Sequence, residues 1–331
     1  MFAVWVSLAF GAAACWGLTV VVNKRALSMV DPIALNAILR VPTLLIMTVV
    51  VVPLTLTHAW NLEFAMNRAA AGYLVLAAVV TWLIAFNAYY LALRRGDVGV
   101  LSPIMGTDPV FTALFAVVIL GAGMSGGLVG GLAVTTAGVV LLSRQVEREP
   151  PVGPDAPVVA PPVGAAPADT TTAGGRRPHR LLSSRPAVIG LAVAAAAGWG
   201  LGPVLIEQAQ RALDGNSATM ILLGQTIGLV LLCPIVLVRR RVLLRPLQPG
   251  EGRLLARLIL ISAVLEAAFA VSFYFLIDNI GAVLTVLIIA TSPLFSILGG
   301  VVILRERYSR RLALGAALTL AGVAVAVLGG R

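Results

Sequence analysis

The sequence predicts an all-α membrane protein of ten transmembrane helices, arranged as two inverted five-helix repeats. Three observations carry that expectation. Apolar residues are in excess of what a water-soluble fold can cover, ten apolar runs have spanning length, and motifs recur between the two halves at a spacing of 183–184 residues.

Of 331 residues, 59% are hydrophobic and only 11% are charged, against about a quarter in an ordinary soluble domain. A mean hydropathy of +0.99 cannot be hidden inside one soluble core, so lipid is the solvent that accepts this surface. The net charge of +10 raises the question of nucleic acid. The basic residues, however, stand in short clusters between apolar runs. Membrane topology accounts for them, and no nucleic-acid partner is expected. Cys15 and Cys233 fall in apolar stretches without CxxC spacing, and His58 and His179 fall in predicted loops. No metal or other cofactor is therefore expected.

A spanning helix needs about 20 mostly apolar residues. The candidate spans are 3–23, 33–56, 71–93, 98–120, 126–143, 187–206, 217–238, 254–277, 281–304 and 312–329. Ala12-Ala13-Ala14-Cys15 loosely resembles a lipoprotein cleavage box, but no basic segment precedes it and the apolar run continues to Val22. An uncleaved first helix is the expectation. Residues 144–185 differ in composition: Glu149–Gly175 is rich in Pro, Ala, Gly and Thr and cannot bury enough surface to fold alone. The chain divides into a first repeat (1–143), a flexible basic linker (144–185) and a second repeat (186–331).

Thr107-Asp108-Pro109-Val110-Phe111-Thr112 lines up with Thr291-Ser292-Pro293-Leu294-Phe295-Ser296, and Val117-Val118-Ile119-Leu120 with Val301-Val302-Ile303-Leu304. Ala137-Gly138-Val139 repeats as Ala321-Gly322-Val323, Trp16-Gly17-Leu18 as Trp199-Gly200-Leu201, and Tyr90 matches Tyr274. With an odd number of helices per repeat, the second copy enters the membrane from the opposite side, which makes the repeats inverted. Of the 24 Lys and Arg residues, 20 fall in odd-numbered loops, so those loops and the linker are expected on the cytoplasmic side of the cell membrane and both termini outside.

A charge at bilayer depth costs at least about 2.5–3.5 kcal/mol, so each one asks for a reason. Asp108 stands about 15 Å along its span, near the midplane, and precedes Pro109, whose missing N–H frees the carbonyl of Met105. Pro293 does the same for Ile289. The expectation is a polar, kinked centre with Thr107, Thr291 and Ser292 alongside, able to bind a solute; the alternative is an Asp that caps or pairs with a neighbouring helix. Glu266 lies mid-span, with Ser262 and Tyr274 on roughly the same face, and its repeat partner is Trp82. A carboxylate there suits a proton-coupled cycle in which the acid releases its proton when substrate displaces it; the alternative is permanent pairing with an arginine such as Arg40. Arg40 can bind an anionic group of a substrate, neutralise one of those acids, or snorkel to the headgroups. Trp16 and Trp199 can wall a cavity or pack closely at Gly17 and Gly200. Asn87, Tyr90, Tyr274, Asn36 and Gln225 suit cavity lining and interhelical hydrogen bonding equally. Lys24 and Glu207 fall at helix ends, where interface anchoring explains them.

These residues resemble a known family. Two five-helix repeats, a Trp-Gly pair in the opening helix, Arg40 in the second, a proline in the fourth and ninth, and the run Leu304–Ser309 are similar to the EamA-type drug/metabolite transporter superfamily. The resemblance covers nearly all of the chain except the linker. Two features depart from the pattern: Gly121-Ala122-Gly123 stands where an acidic residue is usual, and the second repeat has no equivalent of Arg40. The resemblance implies transport of amino acids, nucleotide-linked compounds, sugars or drugs, and no enzymatic activity. The expected function is a secondary transporter that exports or exchanges small metabolites or drugs by alternating access. Its partners are a small-molecule substrate, membrane lipid and protons as the candidate coupling ion. No P-loop is present, so ATP hydrolysis by this chain is not expected. The rivals are a lipid or polyprenyl-phosphate flippase and an intramembrane lipid-modifying enzyme.

Overall fold

A computed structural model describes residues 2–26, 29–56, 67–93, 104, 106–146, 185–213, 217–243, 251–295, 298 and 310–329. Among them every regular element is a helix: α1 Phe2–Ala26, α2 Pro32–Leu56, α3 Arg68–Ala78, a π-helical segment Val79–Ala85, α4 Phe86–Leu93, α5 Asp108–Leu120, α6 Gly126–Val146, α7 Arg185–Arg211, α8 Ser217–Leu243, α9 Glu251–Ile289 and α10 Arg310–Gly329. Helices α3 and α4, with the π segment between them, form one rod. Of the expected linker (144–185), residues 144–146 extend α6 and Arg185 opens α7; the rest lies outside the described residues.

Local chemistry sets the ends of these helices. The Asp31 carboxylate accepts the Ile33 N–H at 3.0 Å and opens α2, where Pro32 needs no partner for a missing N–H. Asn67 Oδ1 accepts the Ala70 N–H at 2.7 Å to start α3. Gly121 ends α5 in the left-handed region (φ 64), which a residue without Cβ reaches at no steric cost.

Among the described residues six helices are long and apolar enough to cross a membrane: Phe2–Asn23, Ile33–Pro53, Arg68–Tyr89, Pro186–Arg211, Ala218–Val238 and Glu251–Ile289. Asp108–Leu120, Gly126–Leu141 and Leu314–Gly329 are apolar but shorter. Val49, Val118, Val238 and Leu328 are 70–84% exposed, an arrangement that lipid tolerates and water does not.

The two halves interlock. Helix α1 packs along α9, and in the same way α7 packs against α3, the π segment, α4 and α5. The opening helix of each half therefore lies on the third and fourth helices of the other. Helices α6 and α10 meet at the closest contact. A Cβ added at Gly138 would strike Thr319, and one added at Gly322 would strike Thr135, its repeat counterpart. Small residues let two helices approach this closely in lipid, where hydrophobicity alone gives them no reason to associate.

Two expectations need correction. The fourth and ninth spans are broken outright, not kinked. Gly106 and Thr107 form a turn and α5 starts at Asp108 with Pro109 in its first turn; Ala290 and Thr291 form the same turn before the chain resumes helix at Ser292. Asp108 is thus a first-turn residue, and its depth cannot be counted along an unbroken span; Met105 lies outside the described residues. Proline suits the first helical turn, where its missing N–H would be unpaired in any case. The hydrogen bonds repeat across the halves. Thr107 Oγ1 donates to the Ile104 carbonyl at 2.6 Å, and Thr291 Oγ1 donates to the Ile288 carbonyl at 2.7 Å.

The second correction concerns Glu207. The eighth and ninth spans stay distinct, as expected, but meet without a loop: Gly281 takes a non-helical conformation (φ 78, ψ 162) between the two helices. Glu207, expected at the interface, is instead buried at 8% exposure. Its Oε2 accepts the Ala282 N–H at 2.6 Å, and its Oε1 accepts Arg211 Nη2 at 2.6 Å. A side chain of α7 thereby caps the helical turn that restarts after Gly281. Glu207→Ala is expected to lower stability by about 1–2 kcal/mol, the usual value of such a cap, and Glu207→Gln by less, because an amide oxygen still accepts. Thermal unfolding in detergent measures both.

Candidate functional site

Helix α2 carries Arg40 into the interior, where it is 2% exposed. Its Nε donates to the Asn36 carbonyl at 3.2 Å, and its Nη1 donates to Gln225 Oε1 of α8 at 3.1 Å. Its Nη2 pairs with Glu266 Oε1 of α9. The guanidinium carbon lies 4.1 Å from the centre of the Trp82 ring, within cation–π range. Arg40 therefore gathers groups from both halves: Trp82 from the first, Gln225 and Glu266 from the second.

Trp82 is aimed by the π segment. The Phe86 N–H reaches back five residues to the Thr81 carbonyl, and the wider turn rotates the side chains beyond it relative to an α-helix. Gly228 of α8 leaves room for the indole, since a Cβ there would meet the Trp82 ring. Trp82 stacks on Phe86 at 5.0 Å, Phe86 meets Trp199 edge-on at 5.3 Å, and Tyr89 lies 5.0 Å from Trp199. On the other side Trp16 lies 4.9 Å from Phe269, the repeat counterpart of the Phe86–Trp199 contact. Both tryptophans thus pack against aromatic rings of the opposite half.

The pairing at Arg40 is incomplete in one respect. Glu266 is 4% exposed and uses one oxygen; Oε2 has no hydrogen-bond partner among the described residues. A second oxygen left bare inside the fold is costly, so a structural pair normally satisfies both.

Other expected site residues stand elsewhere. Asn87 Nδ2 donates to the Leu83 carbonyl of its own helix at 2.7 Å, and Thr107 and Thr291 serve the helix breaks. Ser292 is 9% exposed and Tyr274 7% exposed; the Tyr274 hydroxyl lies beside Gly224, and its carbonyl accepts Gln210 Nε2 at 2.7 Å. Ser262 Oγ donates to Asn23 Oδ1 of α1 at 2.7 Å. Asp108 is half-buried beside α7, where a Cβ at Gly200 would meet its carbonyl. Among the described residues no ion pair joins Asp108 to the Arg40 cluster. Tyr90 lies on α4, and its side chain is outside what is described. Arg40 does not snorkel. Trp82 was visible in the sequence only as the repeat partner of Glu266, and Gln225 only as a polar residue within a span. No group of His, Cys, Asp and Glu among the described residues can hold a metal ion.

The sequence matches the model of the EamA-like transporter family twice, over residues 3–144 and 186–328. One solved structure, described only as the crystal structure of a protein, is similar with a TM-score of 0.63 and 18% identity over 99% of this chain and 98% of the other, which is a likeness of fold. No curated relative matches the chain. Two successive family matches, meeting across an interlocked pair of halves, place this chain in the EamA-like transporter family, whose members are multi-pass membrane transporters of small solutes.

Proposed function

We propose that the protein is a secondary transporter of the cell membrane, exporting or exchanging small metabolites or drugs by alternating access coupled to protons. Its ten crossings form two inverted repeats that rock about a shared site. The observation that carries this reading is the cluster of Arg40, Glu266, Gln225 and Trp82, a buried charge pair assembled from both repeats. A movement between the repeats must alter that cluster, and this is how a binding site becomes linked to a conformational change.

One apolar core, around Met47, Leu74, Leu205, Met220 and Ile277, joins helices of both repeats and supports the same reading. A polyprenyl-phosphate flippase would want its arginine on a lipid-facing opening, and Arg40 is buried. A lipid-modifying enzyme needs several convergent catalytic groups, and the cluster offers one acid.

Purified protein in liposomes, assayed with amino acids, nucleotides and cationic drugs, is expected to show saturable flux that responds to a pH gradient. Glu266→Gln should leave flux without that response, and Asp108→Asn serves as the comparison. Absence of saturable flux for every solute sinks the transporter reading; a pH response surviving both substitutions sinks the coupling role of these acids.

A further inference from the structure

We infer that the solute carries a carboxylate, which takes the place of the Glu266 side chain on Arg40, and that Glu266 takes up one proton as it leaves. This rests on the transporter reading and adds the chemistry of the cargo and the sense of the coupling.

The protein holds its own carboxylate where the solute's would sit. A guanidinium presents a planar fork that a carboxylate can engage with both oxygens. Glu266 engages with one, and its Oε2 is left without a hydrogen bond among the described residues. The other terminal nitrogen, Nη1, goes to the neutral Gln225 amide, a weaker acceptor than a charged oxygen. The remaining contacts of Arg40 do not depend on Glu266. The Asn36 carbonyl holds Nε, and the Trp82 ring covers the guanidinium. Arg40 can therefore keep its place while its anionic partner changes.

Charge balance then fixes the proton. The cluster draws Arg40 from α2, Trp82 from the π segment, Gln225 from α8, and Glu266 from α9; Ser262, one turn before Glu266, is occupied with Asn23 of α1. Arg40 and Glu266 are the charged members. If a solute carboxylate pairs with Arg40, Glu266 becomes a second buried negative charge without a counter-ion, which costs several kcal/mol. Taking a proton on its carboxylate removes that charge. One O–H bond forms, one ion pair replaces another, and the net charge of the site is unchanged. Solute anion and proton are then carried together. The sequence alone suggested the reverse, an acid that gives up its proton to incoming substrate; the standing pair with Arg40 inverts that sense.

The test uses the full chain in detergent with lactate, benzoate and phenylacetate, each beside its primary amide, and benzylammonium as the cation. Thermal unfolding is expected to rise with at least one carboxylate at millimolar concentration and with neither its amide nor the cation. In weak buffer with a pH indicator, binding should take up about one proton per protein. Glu266→Gln removes the competing carboxylate, so it should bind the same anion about tenfold tighter and take up no proton. Should that variant fail to fold with its arginine unpaired, Arg40→Gln/Glu266→Gln replaces it and is expected to respond to no carboxylate. The inference falls if no carboxylate raises unfolding, if amide or cation matches the carboxylate, if wild-type binding takes up no proton, or if the double variant still responds. Failure here with saturable flux of other solutes in liposomes leaves the transporter reading standing. Carboxylate binding with proton uptake but no flux does the reverse.

Discussion

Arg40→Met, with Glu266 left in place, is expected to lose about 3–5 kcal/mol of stability, the cost of leaving a buried charge without its partner. Arg40→Met/Glu266→Leu should recover most of that loss, because an apolar pair of similar bulk asks nothing of a counter-ion. Both side chains are almost fully buried, at 2% and 4% exposure, so water cannot screen the orphaned carboxylate. Flux should be absent in the single variant and in the double variant alike. Thermal unfolding and liposome flux, measured on the same preparations, separate what the pair contributes to the fold from what it contributes to transport. A double variant no more stable than the single one would mean that the two charges do not depend on each other.

Gly322→Leu is expected to abolish monodisperse folded protein. A Cβ at Gly322 would fall on the backbone nitrogen and hydroxyl of Thr135 and the carbonyl of Gly131, so most of what it meets is main chain that cannot rotate aside. The cost should exceed the roughly 1–3 kcal/mol of an ordinary overpacked site. Gly138→Leu should behave likewise, since it meets Thr319 across the same contact in the mirrored position. Gly190→Leu is the control: it is exposed on α7 and nothing lies within 4 Å of the added atom. Size-exclusion profiles and unfolding temperatures decide the matter. If Gly322→Leu behaves like Gly190→Leu, α6 and α10 do not meet at glycine distance.

Much of the fold was legible from residues alone. Apolar runs marked α1, α2, α6, α7, α8 and α10 to within a few residues, because in lipid both length and composition are imposed by the solvent. The motif pairs at a spacing of 183–184 residues anticipated contacts that recur in both halves, such as Trp16 on Phe269 and Trp199 on Phe86. The breaks before Pro109 and Pro293 were visible as prolines but read as kinks, because a sequence does not say whether a helix continues across an unpaired carbonyl or starts afresh. The π segment carried no signal, since any apolar stretch can host the extra residue. Glu207 looked like an anchor, since its acceptor role depends on Gly281, which lies 74 positions further along the chain.

What the sequence determined by itself was the solvent, the duplication and the identity of the few charges placed in lipid, all consequences of composition and order along one chain. Only the tertiary structure decided which charges meet. Arg40 and Glu266 are 226 residues apart in sequence, and Asp108, equally conspicuous as a charge, has no ion-pair partner among the described residues. The physical reason is that hydropathy is a property of each segment, whereas pairing is a property of the distance between segments, which only packing sets.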